Sequence, residues 1–275
     1  MSTESVDARR GGASVATVAR FEAERRLRVA AVVAALLSAY GAMFVWIGPS
    51  FVAGEEMQAL LDALPPVLNE LLGFESLASL EGLLAGEYYT FGWLVGLAGY
   101  VAYTAAGAVA GDVETGRMDT LLAAPVARGS VLLGNYLALL VPILGATLLT
   151  PAVLYGTSVL VGEPLSVERL VALHALIVPY LLCWGAAGLL LGVVVGRSRT
   201  AGRVALALVF GSWLAESVLG VSDYAWAGAV TPTHYLDPSA VLVGGEYDLM
   251  GAGVLLLAAA VLLGLSRRAF ARRDV

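Results

Sequence analysis

Residues 111–135 read GDVETGRMDTLLAAPVARGSVLLGN, a short charged segment between two long apolar runs. The runs at 90–111 and 131–160 can each cross a bilayer, since a membrane-spanning helix needs about 20 apolar residues. The segment is too short for a domain and more regularly patterned than a turn. The two runs are therefore predicted to be consecutive spans, and the segment between them is predicted to be an element at the membrane surface.

The composition of the whole chain is that of an integral membrane protein. Its 275 residues are 59% hydrophobic and 14% charged, with a mean hydropathy of +0.82. An ordinary soluble domain carries about 25% charged residues. The length suits one polytopic domain.

Six apolar runs are long enough, or nearly so, to span the membrane: 30–50, 90–111, 131–160, 170–195, 203–221 and 249–266. They predict an all-α polytopic protein whose six-helix domain covers 29–275. Pro142 and Pro151 predict a tilt or kink in the third run. Glycines four residues apart, at Gly188, Gly192 and Gly196 and at Gly92 and Gly96, predict close helix packing.

The arginines give the orientation, because cytoplasmic loops carry an excess of positive charge. With both termini cytoplasmic, only Arg169 lies outside. All other arginines lie inside: Arg9, Arg10, Arg20, Arg25, Arg26, Arg28, Arg117, Arg128, Arg197, Arg199, Arg203, Arg267, Arg268, Arg272 and Arg273. A five-span or inverted topology loses this asymmetry.

The segment before the first span, residues 1–28, is predicted to be cytoplasmic. Residues 15–28 are predicted to form an interfacial helix, with Glu22–Arg26 and Glu24–Arg28 as ion pairs at i,i+4 spacing. Residues 1–14 are predicted to be disordered.

The outer loops are acidic instead. Residues 53–87 carry seven acids and no arginine, and their leucines recur at a helical spacing that predicts short extracellular helices. Aromatic side chains in the last outer loop, 222–248, suit the membrane interface. The net charge of −6 also fits a halophilic archaeal source, a hypothesis that the source organism tests.

Several kinds of functional site require residues or residue spacings that this chain does not have. The chain has no lysine, which excludes a P-loop and a Schiff base, so any ATP must be bound by another chain. One cysteine, Cys183, allows no intramolecular disulfide. His174 and His234 give no metal-ligand spacing. We expect no cofactor, metal or catalytic residue in this chain.

The charged segment itself predicts a short helix parallel to the membrane. Asp112 can cap its start and Glu114 suits its first turn. An apolar stripe follows, and Pro125 ends the helix. Arg128 then marks the return to the membrane. An ordinary cytoplasmic loop is the alternative.

The pattern E-x-G-x-x-D-x-L-L-A-x-P-V-x-R-x-x-x-L-x-G-N resembles that of ABC type-2 (ABC-2) transporter permeases. Its residues here are Glu114, Gly116, Asp119, Leu121, Leu122, Ala123, Pro125, Val126, Arg128, Leu132, Gly134 and Asn135. The family usually has threonine and lysine where this chain has Arg117 and Asn135. The six-span layout is similar as well.

The resemblance implies that residues 111–128 are a coupling segment that docks on a separate ATP-binding cassette ATPase. Glu114, Arg117 and Asp119 are then the polar contacts to the ATPase, and Arg128 is a membrane anchor at the headgroups. It also implies a permease homodimer or heterodimer, outward transport, and ATP and Mg bound by the partner. No nucleic-acid partner is expected.

Two other function classes stay open. An ATP-independent secondary transporter would use charges within the spans, and a membrane-embedded hydrolase would need a catalytic group there. Glu216 and His174 lie near outer span ends, and neither has an evident partner in sequence.

Overall fold

The computed structural model describes residues 3–52, 79–116, 127–220 and 222–272, with side chains from Val15 onward except those of Val113 and Arg128. These parts contain helices and connecting turns and no strand. The α-helices are α1 (Thr3–Val52), α2 (Leu80–Leu83), α3 (Ala98–Glu114), α4 (Arg128–Leu137), α5 (Leu140–Val161), α6 (Val167–Val195), α7 (Ser198–Leu219) and α8 (Leu249–Ala271). The predicted all-α class is confirmed.

Six helices are long and apolar enough to cross a membrane, as predicted. They are Val15–Val52, Leu80–Asp112, Gly129–Val161, Val167–Val195, Ser198–Leu219 and Leu249–Ala271. The second begins ten residues before its apolar run, because α2 continues through a π-helix, Leu84–Leu97, into α3. Residues 80–87 are therefore part of this helix, and residues 53–78 of the predicted outer loop lie outside the described residues.

The N-terminal prediction needs correction. Residues 15–28 form no separate interfacial helix, and residues 3–14 are helical; both belong to the single helix α1. The exposed ion pair there joins Arg20 to Glu24 at 3.0 Å, and the expected partner Arg28 is not used. No residue between Thr3 and Val52 breaks the helix, since Pro49 lies close to its end.

The third span is interrupted where Pro142 requires it. Helix α4 ends at Leu137 and α5 begins at Leu140. A proline lacks the N–H that would bond to the carbonyl four residues earlier, and its ring clashes with that carbonyl. For Pro142 this carbonyl belongs to Ala138, which lies in the break. Pro151, by contrast, stays inside α5.

The core of the bundle is the contact between α3 and α6. A Cβ at Gly188 or Gly192 would collide with the carbonyl oxygen of Ala102 or Ala106, so the predicted close approach is confirmed. Gly196 instead ends α6 in a left-handed conformation, with φ of 69°. At Gly92 an added Cβ would meet only side chains at 3.5 Å.

The antiparallel helices give the bundle two distinct ends. One, which we call the arginine-rich end, holds the end of α3, the starts of α4 and α7 and the end of α8. The opposite end holds the α5–α6 and α7–α8 connections. Arg169 lies there, donating to the carbonyls of Leu242 and Val243 at 2.8 Å each. Arg169 thus lies at the opposite end of the bundle from the other arginines that the structure describes, as the arginine distribution predicted.

Candidate functional site

The two described parts of the charged segment, residues 111–116 and 127–135, lie at the arginine-rich end. They comprise the last turn of α3, a short turn after it, and the start of α4. Arg117 and Asp119 lie outside the described residues. Glu114 is the last residue of α3 and is exposed.

The predicted cap at Asp112 is wrong. Asp112 lies inside the last turn of α3 and is 7% exposed, so it begins no new helix. Glu114 accordingly stands at a helix C-terminus and not in a first turn. The chain leaves the helix at Gly116, whose φ of 68° favours glycine, and Thr115 bonds back to the carbonyl of Gly111 at 2.8 Å.

The other flank begins at Ala127, which is extended and precedes the first residue of α4, Arg128. The amide of Ser130 bonds to the carbonyl of Ala127 at 2.8 Å and starts the helix. The side chain of Arg128 is not among those described, so its anchoring role stays a prediction.

Two glycines of this flank lie against other helices. A Cβ at Gly134 would stand 2.6 Å from Cγ1 of Val18, so this glycine lets α1 pack closely on α4. A Cβ at Gly129 would stand 3.5 Å from Nε of Arg267 in α8. The motif glycine at position 134 is thus a packing residue.

A polar recess of about 300 Å³ adjoins both flanks. Arg26 donates to the side-chain oxygen of Asn135 at 3.2 Å and to its backbone carbonyl at 3.4 Å. Glu22 and Asp112 line the same recess, and each is 7% exposed. Arg25 lies 3.3 Å from Glu22.

Sequence reasoning missed this recess, although it singled out several of its residues, among them Asp112 as a helix cap. Glu22 and Arg26 entered as an ion pair within one helix, and Asn135 as a departure from the motif. The side chain that Arg26 reaches is 109 residues away in sequence. The only signal was Asn135 itself, a polar residue near the start of an apolar run.

The two ionisable residues noted near the opposite end do have partners. Glu216 lies 2.9 Å from Nδ1 of His234 and accepts from Thr231 at 3.3 Å. His174 is buried, with its Nδ1 2.7 Å from the carbonyl of Leu170. Its ring packs edge-on against Trp93, with centroids 4.9 Å apart.

A metal centre finds no support in the described part of the chain. There, no three His, Cys, Asp or Glu side chains come together to hold a metal ion. Cys183 is buried and free.

The comparison with curated proteins gives no match. The sequence profile described as ABC-2 family transporter protein matches residues 93–275. The matched region contains the end of span two, the charged segment and the four spans after it, which is about two thirds of the chain. Members of this family normally work with an ATP-binding cassette ATPase. With its six membrane-capable helices, this chain therefore belongs to the ABC-2 transporter family and is a multi-pass protein of the cell membrane.

Proposed function

We propose that this chain is the permease subunit of an ATP-binding cassette exporter. It couples ATP hydrolysis by a separate ATPase to movement of substrate across the membrane, as one half of a permease homodimer or heterodimer. The observation that carries the proposal is the family match together with the position of the segment's two described flanks at the arginine-rich end. By the positive-inside rule this end faces the cytoplasm, where ATP is available.

ATP and Mg are bound by the partner subunit in this proposal. The chain has no lysine in 275 residues, so it can form no P-loop. An ATP-driven mechanism then requires that the nucleotide-driven movement reach this chain through a contact surface.

The coupling segment supplies that surface. Glu114 is exposed where α3 ends, and Arg117 and Asp119 follow within five residues. We assign the polar contacts with the ATPase to these three residues. Arg128, at the start of α4, anchors the second flank at the headgroups.

Reversing the acidic charges tests this assignment. The double variant Glu114→Arg with Asp119→Arg is co-expressed with a candidate ATP-binding cassette ATPase from the same organism, and the complex is isolated through a tag on the permease. Charge pairs at an interface are worth several kcal/mol, so recovery of the ATPase should fall at least about tenfold. ATPase-dependent transport should fall with it.

Glu163→Arg is the matched control, because Glu163 is an exposed acid at the opposite end of the bundle. It should leave ATPase recovery at the parent level. If the double variant binds the ATPase and supports transport as the parent does, the docking assignment is wrong. If the parent chain itself never associates with an ATPase, an ATP-independent transporter replaces the proposed function.

A further inference from the structure

Three helices meet at the recess beside the coupling segment. Arg26 comes from α1, Asp112 from the last turn of α3, and Asn135 from α4. Asp112 lies at the start of the segment, and Asn135 follows its return to the bundle. The recess therefore joins both flanks of the segment to one residue of the first helix.

The contact between Arg26 and Asn135 is specific in its geometry. One guanidinium group donates to two acceptors of the same residue, at 3.2 and 3.4 Å. The amide nitrogen of Asn135 donates to the carbonyl of Val131 at 3.2 Å, which turns the amide oxygen toward Arg26. The planar, five-donor guanidinium group suits such a two-point contact.

The charge of the recess also depends on Arg26. Glu22 and Asp112 are each 7% exposed, and buried carboxylates are costly unless cations compensate them. Arg25 lies beside Glu22, but its side chain is 52% exposed. Of these two arginines, Arg26 is the less exposed. In the described contacts, only Arg26 also donates hydrogen bonds to a residue of α4.

The end of α3 also contacts α7. Added Cβ atoms at Gly107 and Gly111, which line the recess, would stand 3.3 and 3.6 Å from Oγ of Ser198, in the first turn of α7. The last turns of α3 therefore both pack on α7 and line the recess.

We propose that Arg26 is a positioning residue for energy coupling. It holds the two flanks of the coupling segment at a fixed separation and makes α1 move with α3 and α4 when an ATPase displaces the segment. This inference rests on the proposed function for its coupling step, whereas the fixed separation is a property of the permease alone.

The separation is measured by pulsed electron paramagnetic resonance on the full chain in lipid nanodiscs. Nitroxide labels are placed at Thr115→Cys and Ala127→Cys, which are exposed positions on the two described flanks of the segment, in a Cys183→Ala background. Arg26→Gln should widen the distance distribution at least about twofold, because it frees one flank from the other. Asn135→Ala should widen it similarly, and the two changes together should add little.

Arg20→Gln is the matched control, since Arg20 is an exposed arginine on the same helix. It should leave the distribution unchanged. In the Arg26→Gln background, Asn135→Lys should narrow the distribution again by returning a cation to the recess. A distribution that keeps its parental width in Arg26→Gln and in Asn135→Ala overturns the inference.

The coupling step is tested with the ATPase bound and trapped with ATP and vanadate. The parent should show a shifted distance, and Arg26→Gln should retain the ATPase but lose the shift. The same shift in parent and Arg26→Gln overturns the coupling role. If no ATPase binds the parent chain, the proposed function fails and the coupling role with it, while the nanodisc measurement still decides the fixed separation.

Discussion

The opposite end of the bundle is closed by buried hydrogen bonds, whereas the arginine-rich end is held by charged side chains around an open recess. The hydroxyl of Tyr180, midway along α6, donates to the carbonyl of Leu94 at 2.9 Å. Thr233, from the connection between α7 and α8, lies 3.0 Å from Ser212 and 3.4 Å from Tyr180. The connection at the opposite end is thereby fixed to α6 and α7, and through Tyr180 to the second span.

Among the described residues, the arginine-rich end shows exposed charged side chains instead. Arg20 and Glu24 pair on the surface, with side chains 84% and 59% exposed, and Glu114 is exposed at the end of α3. Elements that open or move have few buried contacts. This difference fits the proposal that the opposite end is a fixed base and that the arginine-rich end receives an external partner.

The largest expected effect is on the close packing of α3 against α6, two helices that run between the two ends of the bundle. Gly188→Ala places a methyl group on the backbone of Ala102, and overpacking of this kind costs about 1–3 kcal/mol. The apparent melting temperature of the purified protein in detergent should fall clearly. Gly145→Ala is the matched control, because an added Cβ there meets nothing within 4 Å. Equal melting temperatures for the two variants would contradict the close contact of α3 and α6.

A smaller effect is expected at the opposite end. Thr233→Val keeps the side-chain shape but removes the hydroxyl that Ser212 and Tyr180 contact, and a lost hydrogen bond costs about 1 kcal/mol. The melting temperature should fall and ATPase binding should not change. Thr200→Val, at an exposed position of α7, should leave both unchanged. A loss of ATPase binding in Thr233→Val would remove the distinction between the two ends.

The smallest effect is expected for the surface pair at the arginine-rich end. Glu24→Gln removes an exposed ion pair worth less than about 1 kcal/mol. Its melting temperature should lie near that of the parent at both low and high salt. A fall as large as that of Thr233→Val would show that this end is held more firmly than its exposed side chains indicate.

Much of the fold could be predicted from local sequence. The six spans follow from apolar runs, and the close contact of α3 and α6 follows from glycines four residues apart. Positions of helix ends were predicted less well. Asp112 has the chemistry of an N-cap, yet α3 continues through it because no residue before Gly116 ends the helix.

The candidate site likewise contains one residue that local sequence predicted and one role that it could not predict. Glu114 was predicted from the motif and lies exposed beside the segment. The role of Arg26 could not be predicted, because residues spaced four apart on one helix indicate a local ion pair and give no information on a helix far away in sequence. Likewise, Glu216 has a partner in His234 that only the folded connection brings near.

By itself the sequence determined the membrane class, the number of spans, the side on which the arginines gather and the segment that interrupts them. These properties depend on the hydrophobicity and charge of consecutive residues, because the bilayer selects spans by the length of apolar runs and orients them by the charge of the adjoining loops. Only the tertiary structure decided that Arg26 joins α1 to Asn135 and that Thr233 joins the last connection to Tyr180 and Ser212. Such contacts depend on how distant helices pack, since a hydrogen bond forms only where packing brings donor and acceptor within about 3 Å.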